Sequence, residues 1–408
     1  MIFFDSLYGE INLEIPLEVL ISPELQRLRE VRLCNINSPF ITGGANLNRF
    51  EHAIGTAYLA QEFTKLNSIQ DPDKNAFILS AILHDVVTAP FGHSFEYLLD
   101  AIKGKKYQHA NVRKMILSGK TVPYSRNFFL SRKASLSKII KQETLDKINE
   151  ILEGNHILSK YISNTIDLDN IDNVFRFAYH IGISFDKSIP IRLSNNLIYR
   201  ENQLVFKPET LPLFEEWYNI RYSLYKYLLE NPGEFVAKAL LERCLIECIK
   251  DDIISEFDWI LTDSDLVSRI NLKGNKIAKN CIERLMMMDF PKKAEIMYST
   301  EYKLIDAYLF SNKYALIDIA FNNGIFLHFI RDVNKTRRVL YGKILVSDYI
   351  IDKIIGIPDD RYLIGIFSDE LSSIKKGVDL LSKNLPISLK RLPLEGKNDS
   401  KQKSIFDN

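Results

Sequence analysis

The 408-residue sequence has little of what marks several large protein classes. It has four cysteines, Cys34, Cys244, Cys248 and Cys281, and only Cys244 and Cys248 are near neighbours. Four residues apart on a helix-patterned stretch, those two fit neither a Cys-x-x-Cys metal pair nor a disulfide framework. Free thiols buried in a reducing compartment are expected. No apolar run reaches the ~18–20 residues of a membrane span. The start Met1-Ile2-Phe3-Phe4-Asp5 lacks the basic flank and long apolar core of a secretory signal, so a cytoplasmic protein is expected. An excess of one charge is lacking too. Lys and Arg number 53 against 52 Asp and Glu, and a net charge of +1 argues against stable duplex nucleic-acid binding. No internal repeat is visible.

What is present is helical periodicity. Ser22-Pro23-Glu24 is a helix start, with Ser at the N-cap, Pro at the first helical position and an acid in the first turn. Pro39, Gly43 and Gly44 mark a loop over residues 35–46. From Leu47 to about residue 260 one apolar helical pattern follows another, with helices expected near 134–152, 156–180, 208–231 and 234–250. Beyond about residue 290 the texture changes. Residues 314–321, 325–330 and 362–367 are short apolar, β-prone runs, and Asn322-Asn323-Gly324 between the first two reads as a hairpin turn. The expectation is a mainly α fold, with a helical domain over 1–285 and a smaller α+β lobe over 286–394. The polar tail 395–408 is expected to be disordered.

Seven histidines are present, and four of them, His52, His84, His93 and His109, fall within 58 residues of one another. Imidazole both ligates transition metals and carries protons near neutral pH. In Ala81-Ile82-Leu83-His84-Asp85 a neutral and an anionic donor end an otherwise apolar helix, a placement that calls for a partner such as a divalent cation. Asp167, Asp169 and Asp172 lie among apolar residues farther on, and Arg49 and His52 share a turn upstream. Two imidazoles and two carboxylates could hold one ion and leave room for water and a phosphate oxygen.

The ordered set Arg49-x-x-His52, His84-Asp85, Asp169 resembles the signature of HD-domain phosphohydrolases. Asp5-x-x-Tyr8-Gly9-x-Ile11, Gln26-Arg27-Leu28-Arg29, Pro90-Phe91-Gly92-His93-Ser94-Phe95 and Asp167-x-Asp169-x-x-Asp172 extend the resemblance to roughly residues 1–250. It is similar to the branch holding dGTPase-like enzymes and the sterile-alpha-motif and HD-domain protein. That resemblance implies His52, His84, Asp85 and Asp169 as ligands of one divalent metal (Mn, Fe, Zn or Ni), with Mg accompanying the phosphates. It implies catalytic roles for Asp85, for His93 beside the α-phosphate and for His109 as the acid that protonates the leaving oxygen. Arg49 and Arg221 would hold phosphate. The implied reaction converts a deoxynucleoside triphosphate to deoxynucleoside and triphosphate. Homodimers or homotetramers controlled by a nucleotide effector are implied as well.

Several positions depart from that pattern. Thr88 stands where a histidine is usual, Ala110 where an acid supports His109, Asn173 where a tyrosine contacts phosphate, and Phe177 where an acid reads the sugar. Asn173 is kept as a substrate-side candidate. Tyr225, in the aromatic run from Trp217 to Tyr227, belongs either to the core or to a base-stacking wall. Asp167 and Asp172 read as supporting or capping residues, Arg176 as their ion-pair partner, and His180 as a helix-end histidine. The departures leave two rival functions open: hydrolysis of another nucleotide, cyclic or oligonucleotide signal or single strand, and a catalytically weak nucleotide sensor.

Overall fold

The computed structural model describes residues 1–34, 38–41, 46–92, 94–95, 98–99, 102, 136–346, 349–385 and 387–392. Asn48 starts the central helix α1 (Arg49–Leu66), its side chain accepting a hydrogen bond from the Glu51 N–H. Helix α2 (Asp73–Leu83) packs along it and is buried from Ala76 to Leu83 on every face. A helix apolar all round belongs in a core, and α2 carries His84 at its end. The amphipathic α3 (Gln142–Glu153) covers α2 and stops at Gly154, whose φ of +88° favours glycine.

Helix α4 (Leu168–His180) packs against α1. The expected helix over 156–180 is shorter because Asp167 caps α4, its side chain accepting from the Asn170 N–H at 2.7 Å. One 3-10 turn, Ser159–Tyr161, precedes it. The short α5 (Ile189–Asn195) leads to a strand pair, and α6 (Leu211–Glu230) and α7 (Pro232–Lys250) follow close to their expected positions. Asn231 caps α7 by accepting from the N–H groups of Gly233 and Glu234. Helices α8 (Asp263–Lys273) and α9 (Lys276–Met286) complete the helical core. Ser22 accepts from the Leu25 N–H, as its place before Pro23 foretold.

Strands β1 (Ile2–Asp5) and β2 (Gly9–Asn12) form a hairpin at the start of the chain. A second sheet contains β3 (Tyr199–Arg200), β4 (Gln203–Phe206), β7 (Leu340–Val346) and β8 (Tyr349–Ile355) in that order, with β4 and β7 parallel. The third is antiparallel: β5 (Lys293–Ser299), β6 (Phe326–Asp332), β9 (Arg361–Ser368) and β10 (Lys390–Arg391), ordered β10-β5-β9-β6. Helices α10 (Tyr302–Asn322) and α11 (Leu371–Asn384) pack on it. The architecture is a helical core with a C-terminal α+β region, and the β4–β7 pairing ties residues 340–346 to a strand beside the core.

One expectation fails. Residues 314–321 are not a strand but the second half of α10, and Asn323 and Gly324 (φ +74°) end that helix rather than turn a hairpin. Ile305, Leu309, Leu316, Ile317 and Ala320 line its buried face at helical spacing. Residues 326–332 and 361–368 are strands, as expected. The four cysteines are free, three of them buried. No helix among the described residues is long and apolar enough to cross a membrane.

Candidate metal centre

Three elements meet at the candidate site. Helix α1 presents His52, α2 ends at His84, and the first turn of α4 presents Asp169. One donor atom from each of His52, His84 and Asp169 lies within 4.8 Å of the other two. That span suits a single ion held by bonds of about 2.0–2.2 Å.

His52 is 1% exposed and has a carboxylate on each ring nitrogen: Asp169 Oδ1 at 2.9 Å from Nε2 and Asp172 Oδ2 at 2.7 Å from Nδ1. Burial opposes a charge on His52, but the two carboxylates outweigh it and push its pKa up to about 10. His84 is oriented differently. Its Nδ1 lies 2.7 Å from the Ala81 carbonyl oxygen, which only an N–H can satisfy, so the Nε2 of the neutral ring carries the lone pair. That Nε2 is buried and makes no hydrogen bond, with Asp85 Oδ2 and Asp169 Oδ1 each 3.7 Å away.

Asp85 is not in the three-residue set. Its Oδ2 pairs with Arg49 Nη1 at 2.6 Å, and its Oδ1 accepts from the Thr88 hydroxyl at 2.9 Å. Burial disfavours its charge, but the Arg49 guanidinium outweighs it and holds its carboxyl well below the usual range. Thr88 therefore fixes Asp85 from the position where a histidine was expected. Arg27 fixes the same turn by donating to the carbonyls of Val86 and Thr88.

Behind His52 lies a buried polar network. Asp172 accepts from the Tyr8 hydroxyl at 2.8 Å and from Arg176 Nε and Nη2, both at 2.9 Å. Arg176 Nη1 continues to Asp5 and Glu51, and His180 pairs with Glu51. Burial raises the Asp172 pKa, but Arg176 and His52 overcome it and bring it to about 2. Asp167 instead is raised to about 7, by burial and by the charge of Asp169.

Sequence reasoning named Arg176 as a partner of these acids but missed Asp5, Tyr8 and Glu51. The Asp5-x-x-Tyr8-Gly9 segment was the available signal. Arg221 and Tyr225 lie together on α6, the guanidinium 3.8 Å from the ring centre, and Trp217 of the same helix reaches the Asn170 carbonyl at 3.4 Å. Asn173 is half-buried on α4. His93 and His109 lie outside the described residues.

Residues 49–172, which span all three donors, match the family model of the HD domain. The chain contains an HD domain. Over 290 residues it is 27% identical to an uncharacterised protein of Methanocaldococcus jannaschii, covering 69% of this chain and 57% of that protein. Over 308 residues it is 24% identical to the SAMHD1 homolog of Dictyostelium discoideum, a deoxynucleoside triphosphate triphosphohydrolase, covering 69% and 58%. The HD-domain chain thus spans little more than half of these relatives. In fold it is similar to a phosphohydrolase from Bacteroides thetaiotaomicron, with a TM-score of 0.66 at 17% identity, covering 91% of this chain and 100% of the other.

Proposed function

We propose that this HD-domain chain is a metal-dependent nucleotide phosphohydrolase that converts a deoxynucleoside triphosphate to deoxynucleoside and triphosphate. The observation that carries the reading is His84 Nε2: a buried lone pair without a hydrogen bond, beside His52 and Asp169. A buried polar atom left unpaired is costly unless a ligand completes it. Two nitrogens and a carboxylate oxygen suit Mn, Fe, Zn or Ni alike.

In this reading His52, His84 and Asp169 hold the ion, and Asp85 is the fourth ligand. A divalent ion held by these residues would supply a water of lowered pKa and offset charge on the phosphate, and Mg would accompany the remaining phosphates. Asp172 keeps its bond to His52 Nδ1, which directs Nε2 toward the ion. Arg49, already against Asp85, presents its guanidinium to a phosphate oxygen. His109 protonates the departing oxygen, with His93 beside the α-phosphate. Arg221, Asn173 and Tyr225 complete the substrate side. Assembly into a homodimer or homotetramer under a nucleotide effector, and a cytoplasmic location, belong to the same reading.

The test is a panel of dNTPs, ribonucleotides, cyclic nucleotides and short oligonucleotides, each with Mn²⁺, Mg²⁺ or Co²⁺, and products separated by chromatography. Release of triphosphate and deoxynucleoside, abolished in Asp85→Ala, supports the proposal. A second reading, another phosphoester as substrate, is favoured by Phe177, which is apolar and 4% exposed where a sugar-reading acid was expected. Inert dNTPs beside one cleaved non-dNTP would select it.

A further inference from the structure

The first turn of α4, which carries Asp169, is held by more than its own cap. Within the turn, the Asn170 N–H and side-chain amide both donate to Asp167 Oδ1, at 2.7 and 2.9 Å. Asp167 Oδ2 accepts from the Asn164 N–H at 2.5 Å and closes the loop before it. The other two polar groups of Asn170 are taken from outside the helix. Trp217 of α6 donates to its carbonyl at 3.4 Å, and its side-chain oxygen accepts from Arg338 Nη1 at 2.7 Å. Arg338 reaches the Thr165 carbonyl as well, at 3.4 Å.

Arg338 does not belong to the helical core. It stands in the segment joining β6 to β7, two residues before β7 begins at Leu340. That segment is itself pinned. The Thr336 N–H donates to Asp332 and the Asn334 N–H to Asp360, both at 2.9 Å. Strand β7 then runs parallel to β4, with Leu204 opposite Gly342. A Cβ at Gly342 would stand 2.6 Å from the Leu204 carbonyl oxygen, so this close approach needs glycine. Tyr199 of β3, paired to β4, donates its hydroxyl to the Ile166 carbonyl. The guanidinium therefore enters the turn from a well-anchored sheet. The two oxygens it meets there, on Asn170 and Thr165, are neutral, which points to placement rather than charge neutralisation.

We propose that Arg338 is a positioning residue for Asp169, acting through Asn170, so that the C-terminal α+β region supports the metal donors. Asp169 directly precedes Asn170, and its Oδ1 lies 2.9 Å from His52 Nε2 and 3.7 Å from His84 Nε2. Without Arg338 the Asn170 amide is free to rotate, which turns its donor away from Asp167, weakens the cap and lets Asp169 move with the turn. A direct partner of a metal ligand typically contributes 10–100-fold in affinity, so this more distant contact should contribute about five- to tenfold. Charge alone predicts the reverse. Arg338 is a cation near a cation site, and relief of Coulomb repulsion would tighten metal binding when it is removed. The sign of the change therefore separates placement from charge. The inference rests on the reading of His52, His84 and Asp169 as metal donors.

The experiment is titration of the full chain with Mn²⁺ against a competing chelator, with the visible spectrum of the Co²⁺-loaded protein alongside. The variants are Arg338→Met, Arg338→Lys, Asn170→Ala and the double variant Arg338→Met/Asn170→Ala, each checked for folding by circular dichroism and thermal melts. Arg284→Met is the control, because Arg284 ties α9 to Asp369 of the same region through two contacts of 3.2 Å and meets none of these groups. Expected are Mn²⁺ affinity about five- to tenfold lower in Arg338→Met, recovery in Arg338→Lys, whose ammonium can make the single contact, and wild-type affinity in Arg284→Met. The double variant should bind no more weakly than Asn170→Ala alone. The Co²⁺ band intensity should change in Arg338→Met and stay as wild type in Arg338→Lys and Arg284→Met. Unchanged or tighter Mn²⁺ binding in folded Arg338→Met overturns the proposal, as does an equal loss in Arg284→Met. Additive losses in the double variant overturn the route through Asn170. If Arg338→Met does not fold, unchanged binding in Asn170→Ala overturns it instead. A wild type that binds neither ion removes the metal reading and this inference together, whereas Mn²⁺ binding that ignores Arg338 removes this inference alone.

Discussion

Nδ1 of His52 lies 2.7 Å from Oδ2 of Asp172, a buried pair that joins α1 to α4 and turns Nε2 of the same ring toward Asp169 and His84. Partners of this kind fix the orientation and basicity of a ligating imidazole. Asp172→Asn should therefore lower affinity for Mn²⁺ by roughly 10–100-fold, measured by titration against a competing chelator. Unchanged affinity would remove Asp172 from the account.

Arg176 balances that pair. Its side chain is fully buried and bonds Asp172, Asp5 and Glu51. Arg176→Met should destabilise the protein by about 3–5 kcal/mol, the usual effect of stranding buried carboxylates. Urea unfolding measures it. A loss below about 1 kcal/mol would mean the network is a bystander.

Gly55 explains how the network fits. A Cβ built there would stand 2.1 Å from Arg176 Nη2 and from Asp172 Oδ1, so α1 needs glycine at this close approach. Gly55→Ala should destabilise by roughly 1–3 kcal/mol and weaken metal binding along with it, because the displaced Asp172 is the His52 partner. Wild-type values of both would contradict the packing described.

Much of the centre was legible before the fold because chemistry-bearing residues interrupt apolar helices. His84 closes a helix buried on every face, and Asp167, Asp169 and Asp172 alternate with Leu168 and Ile171. The partnership of Arg176 with Asp172 follows from their i,i+4 spacing. What was hidden is nonlocal: Arg338 meets Asn170 across 168 residues, and no periodicity encodes that. The misread strand at 314–321 has a local cause. Its β-prone composition was judged over too short a window, whereas the buried positions beginning at Ile305 keep a helical period through Ala320.

A pH effect is expected in the C-terminal region. Glu242 is 5% exposed and pairs with Lys313 at 2.7 Å and with His328. Burial raises its pKa, but Lys313 and His328 outweigh it and bring it to about 2. The folded pKa is below the unfolded value of about 4.3, so the stability this group contributes is complete above that value. It is lost as pH falls toward 2. Glu242→Gln should be clearly less stable than wild type at pH 6 and approach it near pH 2–3 in urea titrations. A constant difference across that range would contradict the assignment.

The central claim is that His52, His84 and Asp169 hold one ion. Its most direct test is metal stoichiometry by plasma mass spectrometry, after reconstitution with Mn²⁺, Fe²⁺ or Zn²⁺ and removal of excess, in wild type and folded His84→Ala. The account predicts one ion per wild-type chain and almost none in the variant. A wild type that retains no ion, or a His84→Ala protein that retains a full equivalent, would contradict it.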